Sequence, residues 1–573
     1  MHICATPFFL GTILAQPPAI PAPHTVANLR TLCSHLKMLS STTYPLLWAI
    51  CFAGSASLAT AQTLDIDGET SGDRFGAAVA TLSDLNGDGI ADLLVGAGLA
   101  DYSFQNAGAT YLLSGADGSV LRRHDGHGMD HRFGFLVSSA GDANGDGIED
   151  YAASARRDNS VRYPSGMVVL YSGADGSELR QYSSARNWDR FGHALAAAGD
   201  VNGDGFDDLI VGAPDDDFSG IGTGSVFVYS GADGRALHTL RGAKVWDRFG
   251  SSVCSIGDID FDGRPDFAVG IPLRESGYKE AGAVELYSGR TGSLLMRVPG
   301  RSRDAFFGTE IVAMQDVTGD GVPDFAASGV LNANNFEGYD GYAEIRSGAD
   351  GSLVASFESE TAGEGFGMSL AAADISGDGL LDLIVGAPLA SKFGGAGFGA
   401  GALRAFSGPS GRFLIELGGS SSQQRFGDSI APLHQDLDGD GMDELLVGAP
   451  GGGSLEQGFV TSRRGPALAA LDVQNAVAGG IASLTISDGI PFSSYRVEVS
   501  LAGPGNAAPI GSPGLDLADP LMYVGQVNVS ASGDGQVNLT IPSGTSGLQV
   551  WMQAWVASPS PIAATRLLHF VIL

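Results

Sequence analysis

Cysteine is scarce in this chain. Only Cys4, Cys33, Cys51 and Cys254 occur in 573 residues. Three of them fall in an N-terminal stretch that reads as a removable leader, so no intrachain disulfide framework is expected in the remainder. Cys254, inside the strand-like run Ser-Val-Cys-Ser-Ile, reads as a small buried hydrophobe. Basic side chains are also few. Lys and Arg total 32 against 64 Asp and Glu, a formal net charge of −32. Such a chain cannot neutralise a row of phosphates, which excludes a nucleic-acid partner. Long apolar runs are missing too. No segment holds ~18 uninterrupted apolar residues, so no transmembrane segment is expected. The common catalytic signatures Gly-x-Ser-x-Gly and His-Glu-x-x-His and the phosphate loop are absent, and the expectation is a protein that is not an enzyme.

What is abundant is glycine, 85 of 573 residues, against an average usage of roughly 7%. With 44% of residues hydrophobic, the chain is no disordered acidic polymer. Many short strands joined by tight turns fit both numbers. Near the N-terminus, Leu46-Leu-Trp-Ala-Ile-Cys-Phe-Ala53 forms a short apolar core followed by Ala59-Thr60-Ala61. That is the pattern of a signal peptide cleaved before Gln62. Residues 1–61 are therefore expected to be a leader, with translation starting at Met38, and the product to be secreted or held at the cell surface.

The rest of the chain repeats itself. A Phe-Gly pair recurs at Phe75, Phe133, Phe191, Phe249, Phe307, Phe366 and Phe426, at intervals of 58, 58, 58, 58, 59 and 60 residues. About nine residues after each Phe comes an acidic loop, first seen as Asp84-Leu-Asn-Gly-Asp-Gly-Ile-Ala-Asp92. An apolar strand follows, and then Gly212-Ala-Pro214, Gly386-Ala-Pro388 or Gly448-Ala-Pro450, with Gly270-Ile-Pro272 close to them. Each unit reads as four short strands, A to D, with the acidic loop between A and B. Seven units of four strands predict an all-β fold, a seven-bladed β-propeller over 62–466. The last unit lacks a D strand, and Thr63–Asp67 stands where one belongs, so the first strand should complete the last blade and hide a sheet edge.

Phe-Gly, an acidic D-x-[DNTS]-x-D-G-x-x-[DE] loop and Gly-Ala-Pro together resemble the FG-GAP repeats of the integrin alpha-subunit head. The resemblance covers residues 62–466. It implies adhesion or another interaction with an extracellular protein. Repeats one, two and five depart from it by lacking a full Gly-Ala-Pro.

Carboxylates on alternate residues of a tight loop converge on one point, and hard oxygen donors of this kind suit Ca²⁺. Side-chain ligands are expected at positions 1, 3, 5 and 9 and a main-chain carbonyl at position 7. In blade 1 these are Asp84, Asn86, Asp88, Asp92 and Ile90; in blade 2, Asp142, Asn144, Asp146, Asp150 and Ile148. Blade 3 offers Asp200, Asn202, Asp204, Asp208 and Phe206; blade 4, Asp258, Asp260, Asp262, Asp266 and Arg264. Blade 5 has Asp316, Thr318, Asp320, Asp324 and Val322; blade 6, Asp374, Ser376, Asp378, Asp382 and Leu380; blade 7, Asp436, Asp438, Asp440, Glu444 and Met442. An EF-hand is excluded, because position 12 of the first loop is Val95, inside a strand.

The A–B and C–D turns share one face of a propeller, and the B–C and D–A loops share the other. Variable loops on a rigid scaffold are where binding concentrates. Candidate partner-binding residues there are Tyr102, Tyr163 and Tyr278, with Arg156 and Arg157, which together with Arg162 form a rare basic cluster. Trp188 and Trp246 are further candidates, although packing is the preferred reading for both. The Phe of each Phe-Gly pair should pack between blades. His124, His127 and His131 read as a polar loop rather than a transition-metal site. Residues 467–573 alternate in short strands and predict a C-terminal β-sandwich, with a hairpin turn at Gly533-Asp534-Gly535. Two other functions stay open: a lectin-like glycan-binding propeller, and a secreted hydrolase or lyase with its site on the variable-loop face.

Overall fold

The computed structural model describes residues 64–157, 165–184, 186, 188–330, 341–359, 361–391, 398–437, 442–451 and 458–463, together with seven strands between 470 and 571. The leader, Tyr163, Arg162, Asp438 and Asp440 lie outside the described residues. Among the described residues no helix is long and apolar enough to cross a membrane.

Seven four-stranded antiparallel sheets form the blades. The first runs Phe75–Leu82, Asp92–Ala97, Ala109–Leu113 and Val120–Asp125, in spatial order A, B, C, D. The A strand of each blade touches the A strand of the next, and the seventh touches the first, so the ring closes around an axis lined by A strands. Thr81 Oγ1 donates to the Pro432 carbonyl at 2.6 Å across that last junction.

Closure is made as the sequence requires. The seventh blade takes Ser429–Pro432, Leu445–Ala449 and Phe459–Arg463 from the end of the repeats and Asp65–Asp67 from the beginning. Asp65 pairs with Thr461 and Asp67 with Phe459. A strand from one end of the repeat array thus fills the edge left by the other.

Burial follows strand position. B strands such as Asp92–Ala97 and Asp266–Ile271 are buried along their whole length, whereas the outer strand Val120–Asp125 is half-exposed. The core is divided into clusters that each join two neighbouring blades. One joins Ala78, Leu94 and Leu112 of blade 1 to Phe133, Tyr151 and Val169 of blade 2. Another joins Leu93 and Tyr111 of blade 1 to Leu446 and Val460 of blade 7. The Phe of every Phe-Gly pair is at most 3% exposed, and most meet an aromatic ring of their own blade's C strand. Phe75 stands edge-on to Tyr111 at 5.4 Å and Phe249 to Tyr287 at 6.0 Å.

C-terminal to the ring, strands Ala470–Gln474, Ile481–Ser487 and Gly535–Thr540 form one small sheet. Ser494–Ser500, Leu521–Asn528, Gln549–Val556 and Leu568–Val571 form a second. The turn expected at Gly533-Asp534-Gly535 lies, but for Gly535, outside the described residues; of the strands on either side, Leu521–Asn528 pairs with Ser494–Ser500 and Gly535–Thr540 with Ile481–Ser487.

Candidate metal centres and binding face

The acidic loops of blades 1 to 6 share one conformation, and it follows from their sequence. In blade 1, Asp84 accepts hydrogen bonds from the amides of Gly87 at 2.6 Å, Asp88 at 3.0 Å and Gly89 at 2.6 Å. Asp88 in turn accepts from Ile90 at 2.9 Å. The same ladder recurs on Asp142, Asp316 and Asp374. Glycine at position 6 takes φ of +91° at Gly89, +84° at Gly147 and +89° at Gly205, with no atom within 4 Å of where a Cβ would stand. The residue is dictated by backbone conformation and not by space.

Position 9 braces its loop, which spacing alone does not reveal. Asp92, Asp150, Asp208, Asp266, Asp324 and Asp382 are fully buried. Asp266 accepts from the amides of Ile259 at 2.9 Å and Asp260 at 3.3 Å, and also from Gly289 in the C–D turn at 2.9 Å. It ties the acidic loop to the neighbouring turn. Burial pushes the Asp266 and Asp92 carboxyls up to about 6 and that of Asp208 up to about 7, against the opposing backbone hydrogen bonds.

The donor set fits a hard divalent cation. In blade 4 the carboxylate oxygens of Asp258, Asp260 and Asp262 lie within 4.8 Å of one another. Oxygen donors at this separation, with a carbonyl at position 7, are what Ca²⁺ accepts at flexible geometry. Asp436, Met442 and Glu444 are the described members of the blade 7 set; Glu444 accepts from the Leu437 amide at 2.9 Å, as position 9 does elsewhere.

Two features of these loops escaped sequence reasoning. Position 8 links neighbouring blades. Asp207 accepts from the Asp142 amide at 2.8 Å, Glu149 from the Ser83 amide at 2.6 Å and Asp443 from the Asp374 amide at 3.0 Å. Position 7 also reaches across: Arg264 of blade 4 places Nη1 3.3 Å from Asp200 of blade 3. A fixed cation therefore stands over the blade 3 loop. An acidic residue at position 8 was the only available signal, and it reads as ordinary surface charge.

The opposite face is built by B–C loops clasped to the D–A loop entering the next blade. Asp130 and Arg132 amides donate to Gln105 and Asn106 carbonyls at 2.9 and 3.1 Å; Trp246 and Arg248 amides donate to Ile221 and Gly222 at the same distances. The clasp needs left-handed residues, and Trp188 and Trp246 take φ of +67° and +65°. Their side chains are 63% and 58% exposed. The preferred packing reading of these two tryptophans is thereby corrected: a left-handed backbone turns each ring outward. Tyr278 is also exposed, at 58%. Tyr102 is committed internally, donating to Glu69 at 2.6 Å beneath the Arg123 guanidinium. Arg156 stacks on Phe135 at 4.7 Å, and Arg157 is exposed beside it. His124 bonds the Tyr151 hydroxyl at 2.8 Å and stacks on Tyr171, which absorbs it into the blade.

The Phe-Gly and Gly-Ala-Pro segments meet between blades. A Cβ on Gly212 would fall 2.2 Å from the Gly250 carbonyl oxygen, and one on Gly448 would fall 2.0 Å from that of Gly76. Five segments, 75–113, 191–229, 249–286, 366–403 and 426–462, match the family described as FG-GAP repeat. The chain carries FG-GAP repeats. Among relatives, integrin alpha-V of Gallus gallus is 31% identical over 211 residues, 34% of this chain and 20% of that protein. Integrin alpha-5 of Xenopus laevis is 33% identical over 211 residues, 34% of this chain and 19% of its own length. Integrin alpha pat-2 of Caenorhabditis briggsae is 31% identical over 232 residues. The chain spans about a fifth of the length of these relatives. The two unmatched blades, 2 and 5, carry Ser154 and Ser328 where the other FG-GAP repeats have the inter-blade glycine. Ser328 Oγ donates to the Gly367 carbonyl at 2.7 Å, so the junction is kept by a hydrogen bond.

Proposed function

We propose that this chain is a calcium-stabilised FG-GAP propeller, secreted or held at the cell surface, that binds an extracellular protein partner through its B–C and D–A face. The observation that carries the reading is the division of the molecule into two unlike faces. One holds the acidic loops, those of blades 1 to 6 described throughout. The other exposes Trp188, Trp246 and Tyr278 on a backbone held by clasped loops. Large rigid aromatics displayed from a fixed frame are the usual anchors of protein interfaces. The integrin alpha relatives support an interaction module rather than an enzyme.

Calcium fits as a structural ion. Positions 1, 3, 5 and 9 of the loops carry 23 of the chain's 64 carboxylates, and like charges crowded in one turn repel without a counter-ion. An ion bound only by the folded chain stabilises it by ~2.7 kcal/mol per site at a hundred times Kd. Blade 4, with three neighbouring carboxylates, should hold calcium most tightly among the described loops.

The test has two arms. Thermal unfolding in EDTA and in millimolar calcium should differ by many degrees, with several ions bound per chain; an unchanged midpoint with no bound ion would sink the metal assignment. Extracellular proteins presented to the immobilised chain should be captured by the native sequence and lost on Trp188→Ala with Trp246→Ala. Capture that survives both changes would move the partner elsewhere.

A further inference from the structure

Basic side chains are rare in this protein, yet they gather at one place. The residue before Phe-Gly is Arg74, Arg132, Arg190, Arg248 or Arg425 in five of the blades. All five take left-handed φ, between +56° and +58°. This conformation is costly for a non-glycine residue and persists only where its surroundings impose it. Because each A strand lines the axis, these arginines ring the axial mouth on the face opposite the acidic loops. Arg156 and Arg157, at the end of the blade 2 B strand, stand among them.

The cluster is under-neutralised. Asp215 is shared by two of its members, Arg190 at 2.8 Å and Arg248 at 3.3 Å. Arg425 is paired with Asp428. Asp130, beside Arg132, is engaged by the Asn106 amide group at 2.8 Å. Among the described residues, Arg74, Arg132, Arg156 and Arg157 have no ion-pair partner. Arg132 Nε and His193 Nδ1 are buried with no hydrogen-bond partner. His193 stacks on Phe135 at 6.1 Å, and Arg156 lies over the same ring, so the two aromatic rings and Arg156 make a continuous patch. Burial, and then the charges of Arg190, Arg132 and Arg157, bring the Arg156 guanidinium down to about 10. A positive cluster of this kind, on a chain of net charge −32, is stabilised by an incoming anion.

We infer that this mouth is a carboxylate-binding subsite, in which Arg132 and Arg156 receive an acidic side chain from a peptide segment of the protein partner. The inference rests on the partner-binding reading of this face. A peptide is favoured over a sulfated glycan because the cations do not stand alone. Trp188-Asp189-Arg190 and Trp246-Asp247-Arg248 set an exposed tryptophan two residues from a rim arginine. An acidic side chain flanked by apolar ones meets both. Guanidinium groups bind carboxylates through paired N–H donors, which gives direction as well as charge.

The experiment uses the full chain in millimolar calcium and a fluorescein-labelled peptide of alternating Glu and Leu, read by fluorescence polarisation. The same peptide with Lys for Glu and a sulfated heparin-type oligosaccharide are the comparison probes. The acidic peptide should bind, and the lysine peptide should not. Arg132→Gln and Arg156→Gln should each weaken binding about tenfold, the loss of one ion pair of ~1.4 kcal/mol. Arg235→Gln, at an exposed turn on the acidic-loop face, should change it less than twofold. Equal unfolding temperatures for all variants separate lost binding from lost folding. No binding of the acidic peptide, equal binding to the arginine variants, or binding of the oligosaccharide alone would each overturn the subsite. The broader reading is judged separately. If the native chain still captures an extracellular protein and Arg132→Gln and Arg156→Gln capture it equally, only the subsite falls. If no form of the chain captures any, the partner-binding face falls with it.

Discussion

At position 4 of the acidic loops, Gly87, Gly145, Gly203, Gly319 and Gly377 take φ between +71° and +82°, and in blade 4 Phe261 is forced to +60° with its ring 68% exposed. A left-handed non-glycine residue costs ~1–2 kcal/mol, and glycine gives back ~0.5–1 kcal/mol in the unfolded chain. Phe261→Gly should therefore stabilise the protein by up to ~1 kcal/mol, read as a higher urea midpoint. Gly205→Ala, at φ +89° with open space around it, should cost ~1–2 kcal/mol by the same measurement. Asp189 adds a pH dependence. It is 1% exposed, and burial pushes its carboxyl up to about 7, against the opposing hydrogen bond from Ser184. Between about pH 4 and 7 the folded chain holds a proton that the unfolded chain has released. Its contribution to stability thus falls as pH rises through that window. Asp189→Asn should raise the urea midpoint at pH 8 and leave it unchanged at pH 4. A gain at pH 4 as large as that at pH 8 would disprove the titration.

Between elements, the energetics sit at the blade junctions. The Phe-Gly glycine of one blade lies against the Gly-Ala-Pro glycine of the blade before it, and the aromatic ring beside it fills the wedge. Gly134→Ala would put a methyl group 2.2 Å from the Ala109 carbonyl oxygen at φ +77°. Backbone must move on both counts, so a loss of more than ~3 kcal/mol and unfolding during purification are expected. Ser328→Ala removes only the hydrogen bond to Gly367, with an expected cost of ~1 kcal/mol in the urea midpoint. On the other face, Arg264 sits over the blade 3 loop. Arg264→Gln should raise the calcium affinity of that loop, seen in calorimetry as one site tightening while the others stay fixed. Phe-Gly, the acidic loop and Gly-Ala-Pro were each legible as segments. Their contact across blades was not, because it joins residues about 40 positions apart whose only sequence mark is a missing side chain.

For the whole molecule, stability depends on closing the ring. Asp65–Asp67 pairs with Phe459–Arg463 and supplies the edge strand that blade 7 lacks. A chain beginning after Asp67 should lose cooperativity, with unfolding broadened and its midpoint lowered by many degrees, while the calcium response of the remaining blades persists. A protein of unaltered midpoint would show that this strand is dispensable. The two faces divide the electrostatics as well. Acidic loops crowd one side, and the arginines of the axial mouth gather on the other.

The sequence alone determined the number of blades, the four-strand unit, the exchange of a strand between the two ends and the sharp turn at the glycine in position 6 of the described acidic loops. All of these are set by local spacing, by residue types with fixed backbone preferences and by the need to satisfy sheet edges. Tertiary structure decided the rest. Position 9 braces as well as charges its loop, because Gly289 and its counterparts approach from a separate turn. Trp188 and Trp246 face solvent, because the clasp between loops of adjacent blades imposes a left-handed backbone. Arginines spaced 58 residues apart become neighbours, because a closed ring carries the same position of every repeat to one axis.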